Sequence, residues 1–216
     1  MEKYTVDHLL NDVEVRVLGS LIEKEITTPD YYPLSLNALT NACNQSSNRS
    51  PVVRFDESTV AEAADSLREK RLVRLVDRGD SRVTKYRHVM GETLSLDARQ
   101  IAAMCVLMLR GPQTVGEIRT RSNRVHDFSS LEEVETVLNL LIALEPFPLA
   151  VRLLRQTGQK EVRYAHLLSG PSVEVASDVQ AGVDRVAKLE ETTERLREDV
   201  ENLKKQFEQF RKQFES

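Results

Sequence analysis

Thr84-Lys85-Tyr86-Arg87-His88-Val89 is written again, in altered form, as Val162-Arg163-Tyr164-Ala165-His166-Leu167. Both copies carry a basic residue, Tyr, a variable residue, His and an aliphatic. Each closes a β-prone run that has doubled back through a turn. The first run is 72–77, turning through Arg78-Gly79-Asp80-Ser81 into 82–89. The second is 149–156, turning through Thr157-Gly158-Gln159-Lys160 into 161–168. Glycine in a short polar link between β-rich segments marks a hairpin. Each hairpin also follows directly on a long amphipathic helix. The expected fold is therefore mostly α with small β-hairpin wings. It comprises a first winged-helix domain at 1–92, a second at 93–169, a linker at 170–178 and a C-terminal coiled-coil helix at 179–216.

Working outward, the first helix is expected from Asn11, because Asn11 with Glu14 has capping-box spacing and Leu10 can staple onto Val15. Val15, Leu18, Leu21 and Ile22 recur at helical spacing as a buried stripe. Glu23-Lys24-Glu25 reads as the solvated end. Two prolines keep the stretch from Thr27 to Pro33 out of a helix. Ser35 is the expected cap of a second helix that runs out at Cys43. Asp56 is the expected cap of a third, which packs Val60, Ala63, Ala64 and Leu67 inward.

Between them lies Asn44-Gln45-Ser46-Ser47-Asn48-Arg49-Ser50-Pro51, the most polar uncharged stretch of the chain. Its amides could read an adenine edge or hold phosphates. Turn backbones use the same amides with no functional role, and that reading stands ahead. Arg74, Arg78, Arg82, Lys85 and Arg87 meet only Asp77 and Asp80 on the first hairpin, which makes Arg68 to Arg87 the most basic window. It is either a wing that grips phosphates or an exposed ribbon kept soluble by charge.

In the second half Ser95 or Asp97 opens a helix with Ile101, Met104, Leu107 and Met108 inward, stopped by Gly111-Pro112. Thr114 and Glu117 form a capping box for a short helix ending near Arg121. Arginine is concentrated at Arg119, Arg121 and Arg124. Ser129 is the expected cap of the next helix, whose buried face is Leu131, Val134, Leu138 and Leu141. Glu132, Glu133 and Glu135 make that helix poorly suited to a major groove lined by phosphates.

From Val179 the pattern becomes a heptad. Val186, Leu189, Leu196, Val200, Leu203, Phe207 and Phe210 lie on one seam. β-Branched residues at several a positions with Leu at d favour two parallel strands. Arg185 with Glu190 and Asp199 with Lys204 are opposite-sign pairs that suit a homodimer. The alternative is a lone helix folded back on the domains.

The net charge of -4 is not that of a non-specific nucleic-acid binder. By segment it divides as -2 over 1–92, +1 over 93–169 and -3 over 170–216, so a DNA reading must rest on a local patch. No apolar run approaches the roughly 20 residues of a membrane span, and the N-terminus lacks a signal-peptide layout. These features point to the cytoplasm. Cys43 and Cys105 read as small buried hydrophobes. His8, His88, His126 and His166 have no partners at metal spacing, and His88 and His166 occupy equivalent hairpin positions that suit a shared packing role. Phosphate-loop, dinucleotide and nucleophile-elbow patterns are missing. No enzyme activity, cofactor or metal is expected.

Several longer strings resemble the YceH-like family of bacterial proteins. They are Glu23-Lys24-Glu25-Ile26-Thr27-Thr28-Pro29-Asp30, Tyr32-Pro33-Leu34-Ser35-Leu36-Asn37, Ala42-Cys43-Asn44-Gln45 and Ser47-Asn48-Arg49. Leu109-Arg110-Gly111-Pro112-Gln113-Thr114, Gly116-Glu117, Arg119-Thr120-Arg121 and Phe128 continue the likeness through roughly 10–170. The resemblance implies tandem winged-helix domains and carries no activity or catalytic residues with it. Ser46 stands where the family pattern has Lys, which weakens a phosphate role for that turn.

The leading expectation is a DNA-binding or transcription-associated protein. Arg74, Arg78, Arg82, Lys85 and Arg87 would contact duplex DNA, with Asn44, Gln45, Asn48 and Arg49 beside them. Arg119, Arg121 and Arg124 form a second patch. The alternative is a protein-interaction scaffold built on winged helices.

Overall fold

A computed structural model describes residues 9–76, 83–155, 159–170 and Thr193. The chain divides into two units, 1–172 and 173–216. Within the first unit the element order is written twice. One set is α1 (Asp12–Thr27), β1 (Leu34–Ser35), α2 (Leu36–Cys43), α3 (Glu57–Glu69), β2 (Val73–Val76) and β3 (Lys85–His88). After α4 (Met90–Leu94) come α5 (Ala98–Arg110), β4 (Gln113–Thr114), α6 (Val115–Ser122), α7 (Leu131–Ile142), β5 (Ala150–Arg152) and β6 (Arg163–His166). The protein is thus mostly helical with two small antiparallel sheets.

Both sheets have the same topology, β1-β3-β2 and β4-β6-β5, with the last strand in the middle. Tyr86 faces Leu34 and Leu75 across the ladders, and Tyr164 faces Gln113 and Arg152 in the same way. The repeated string therefore forms the central strand of each sheet. The outer strands β1 and β4 were not anticipated. Each is two residues long and doubles as the entry to a helix, since Ser35 and Thr114 also cap α2 and α6.

Local capping chemistry sets most helix starts. Asn11 and Glu14 exchange both bonds of a capping box, as do Asp97 with Gln100 and Thr114 with Glu117. Asp56 caps α3. The cap of α7 is Ser130 rather than the expected Ser129, because Ser129 donates its N–H and hydroxyl to Glu133 one turn ahead. The short helix α4 was likewise unforeseen.

The predicted stripes are buried, including Leu18, Leu21 and Ile22 of α1 and Met104 and Leu107 of α5, all at 0% exposure. Each such side chain contributes about 2 kcal/mol. Leu131 is the exception. It sits in the first turn of α7 and is 46% exposed.

α1 and α5 pack on one another, so the two repeats share a single core. Gly19 permits the approach: a Cβ there would stand 2.9 Å from Leu109 Cδ2 and 3.3 Å from Met108 Cβ. Cys105 donates to the Gly19 carbonyl at 3.6 Å. The Ser50 N–H donates to the Leu109 carbonyl at 2.9 Å, which ties the polar loop of the first repeat to the end of α5. The Leu10 N–H reaches the Leu168 carbonyl at 2.8 Å and fastens the repeats at their other end. No helix among the described residues is long and apolar enough to cross a membrane.

Candidate functional site: a basic cleft between the repeats

The polar loop is held mainly by its own side chains. Asn44 Nδ2 donates to the Phe55 carbonyl and Oδ1 accepts from the Phe55 N–H, both at 2.7 Å. That pair closes the loop as a strand ladder would. Asn48, at φ 61°, accepts from Arg110 through its side chain. A left-handed conformation is readily adopted by Asn. These amides serve the turn, the reading that stood ahead from sequence.

Arg49 is removed from the set of phosphate contacts. Its side chain is 0% exposed and grips Glu23 with two bonds, Nη2 to Oε2 at 2.6 Å and Nη1 to Oε1 at 3.2 Å. It also donates to the Ala42 and Asn48 carbonyls, and Nη2 lies 3.4 Å from Gln45 Oε1. Glu23, expected on a solvated face, is buried as its counterion. Glu25 is not free either: its Oε2 lies 2.6 Å from His88 Nε2. This hydrogen bond outweighs burial and holds the Glu25 carboxyl below its usual range.

On the first hairpin Arg78 and Arg82 lie outside the described residues, as does the seam within 186–210. Arg74 and Arg87 both pair with Glu92, Arg74 at 3.1 Å. Glu92 lies on α4, so the counterion comes from the helix that sequence reasoning missed. Exposed pairs of this kind contribute little, and one carboxylate does not cancel two guanidiniums. Lys85 at the start of β3 makes no ion pair among the described residues. Arg119 donates to the Phe128 and Ser129 carbonyls, clamping the α6–α7 loop as Asn44 clamps the loop before α3.

The remaining predicted residues come together. Gln45 and Asn48 from the first repeat line the same cavity as Arg121 and Arg124 from the second. Its volume is about 400 Å³. Lys24, Thr27 and Thr28 at the end of α1 form one wall, and Arg110 at the end of α5 another. Cys105, Val106, Leu109 and Val125 supply an apolar floor. Burial pushes the Cys105 thiol far up, so it is not a nucleophile at neutral pH. Arg121 pairs with Glu117 at 3.0 Å and donates to Gln113. Burial first, and then the Arg121 charge, lower the Arg110 guanidinium pKa from its ordinary value. Two sequence patches read as separate are therefore faces of one cleft. Lys24 and Arg110 were missed because nothing local marks them; only the α1–α5 packing brings them in.

His166 matches His88 at the end of its central strand but pairs with no carboxylate among the described residues. Burial pushes its imidazole down to about 4, against a weaker opposing pull from Asp12. Among the described residues no three His, Cys, Asp or Glu side chains are grouped to hold a metal ion.

Fold and cleft define a duplicated, mostly helical protein whose repeats share one core and enclose one basic cavity. The chain belongs to the family described as "Protein of unknown function, DUF480", whose model matches residues 10–159, the first repeat and the second through β5. This agrees with the YceH-like resemblance. The chain is 55% identical over 193 residues to a UPF0502 protein of Geotalea uraniireducens (strain Rf4), covering 84% of this chain and 87% of that relative. It is 51% identical over 187 residues to a UPF0502 protein of Opitutus terrae, covering 85% and 81%.

Proposed function

We propose that this bacterial chain is a non-enzymatic tandem winged-helix protein that docks another protein through the exposed faces of α3 and α7. The order helix, short strand, two helices and two antiparallel strands in each repeat supports the winged-helix reading. The observation that carries the reading is the charge of the third helices, the elements a winged helix would insert into a groove. The solvent face of α3 presents Glu57, Glu62, Asp65 and Glu69 against Arg68 alone. α7 presents Glu132 and Glu135 beside Leu131 and Leu140, with no basic residue in the helix. Duplex DNA carries one negative charge per roughly 1.7 Å of axis. Two acidic helices entering its grooves would oppose that field rather than complement it. A basic surface on a partner protein complements both, and the exposed leucines of α7 add an apolar anchor. The heptad at 179–216 would pair two copies in the cytoplasm and present each face twice.

The test uses the full chain. Wild type is expected to show no saturable duplex binding at about 50 mM salt. As immobilised bait it should retain a stoichiometric, nuclease-resistant protein partner that a Glu62→Lys/Asp65→Lys/Glu135→Lys variant releases. Tight duplex binding that weakens by decades between about 50 and 200 mM salt would instead restore the DNA reading.

A further inference from the structure

Within the cleft the cations outnumber what the fold needs. Glu23 is already neutralised by Arg49 beneath it. Arg110 and Arg121 donate to the neutral side-chain oxygens of Asn48 and Gln113, which orient a guanidinium without cancelling its charge. Lys24 approaches Glu23 no closer than 3.9 Å. Arg124 is exposed and makes no ion pair among the described residues. Lys24, Arg110, Arg121 and Arg124 line the cavity with Glu23, whose charge Arg49 matches from beneath, and Glu117 pairs with Arg121; among the described residues this leaves a local excess of three positive charges in a chain of net charge -4.

Helix ends act in the other direction. α1, α5 and α6 all terminate at the cleft. Each C-terminus carries roughly half a negative charge, together about 1.5. About half of the cationic excess therefore survives. The cations also work against one another, as the Arg121 charge does in lowering the Arg110 pKa.

We infer that this cleft binds a small phosphate-bearing molecule. Its phosphoryl group would lie among Lys24, Arg110, Arg121 and Arg124, and its organic body against Val106, Leu109 and Val125. A single carboxylate is satisfied by one arginine fork, whereas a phosphate brings close to two charges and three strong acceptor oxygens. The Thr27, Thr28 and Thr120 hydroxyls at the rim donate to helix carbonyls, so the phosphate oxygens are left to the cations. A cavity of about 400 Å³ is in the range of organic-ligand sites and has room for more than a bare oxyanion. The inference is independent of the docking reading, which rests on α3 and α7.

Inorganic pyrophosphate is the probe, titrated calorimetrically into the full-length protein, with citrate at matched ionic strength beside it. Saturable one-to-one pyrophosphate binding is expected, weakened at least tenfold in a Lys24→Ala/Arg124→Ala variant. Neither side chain makes a bond that the fold relies on, so that variant should fold, and its unfolding midpoint checks this. An Arg74→Ala/Arg87→Ala variant on the first hairpin should bind as wild type does. Four results would each overturn the inference: no saturable binding, equal affinity in the cleft variant, equal loss in the hairpin variant, or citrate bound as tightly as pyrophosphate. Displacement of pyrophosphate by a short duplex would make the cleft a nucleic-acid contact and overturn the small-molecule assignment as well.

Discussion

Replacing Arg49 with methionine separates a structural arginine from a phosphate ligand. The guanidinium is sealed from water and bonded to both oxygens of Glu23, to the Ala42 carbonyl at the end of α2 and to the Asn48 carbonyl in the loop. Methionine keeps most of the volume but leaves a carboxylate that is only 11% exposed without its cation. Breaking one side of a buried pair typically costs about 3–5 kcal/mol. For a chain of this length that lowers the melting temperature by roughly 10 °C, taking about 2–4 °C per kcal/mol. Adding Glu23→Gln removes the stranded charge and should restore about 2 kcal/mol or more. Urea unfolding of the three variants against wild type reads all of this directly. An exposed phosphate-gripping arginine would instead cost about 0.5 kcal/mol or less. A loss under about 1 kcal/mol in Arg49→Met, or no recovery in the double variant, would refute the buttress.

Two other perturbations have defined outcomes. Gly19→Val places new methyls against Leu109 and Met108 and should cost about 1–3 kcal/mol of unfolding free energy; unchanged stability would mean that α1 and α5 can part without loss. His166, with its pKa depressed to about 4 in the folded chain, binds its proton more readily when unfolded. Stability from this site is therefore complete above pH 6.5, its ordinary value, and declines as pH falls toward 4, by up to about 3 kcal/mol. Urea midpoints from pH 7 to 4 should show that slope, and His166→Phe should flatten it.

Features encoded within one turn of chain were readable without coordinates. Asn11 with Glu14 and Thr114 with Glu117 satisfy helix-end donors three residues away, so spacing alone reveals them. The hairpins were legible for the same reason. β1 and β4 were not, because a two-residue strand has no alternation to detect and its partner is some fifty residues downstream. Glu23 looked like a surface carboxylate since its partner, Arg49, is 26 positions away. The Asn44–Arg49 turn and the arginines after Thr114 each stood out, yet their meeting in one cavity depends on how two helices cross. Periodicity shows which face of a helix is apolar but not what covers it.

The glycine contact at the α1–α5 crossing also limits how this gene could have been rearranged. Many duplicated proteins hang like beads on a thread, so either bead can be lost, swapped or expressed alone. Here a cut at residue 92 would leave the α1 side chains that pack on α5 facing water. Neither half can therefore be removed without exposing the core that the other covers.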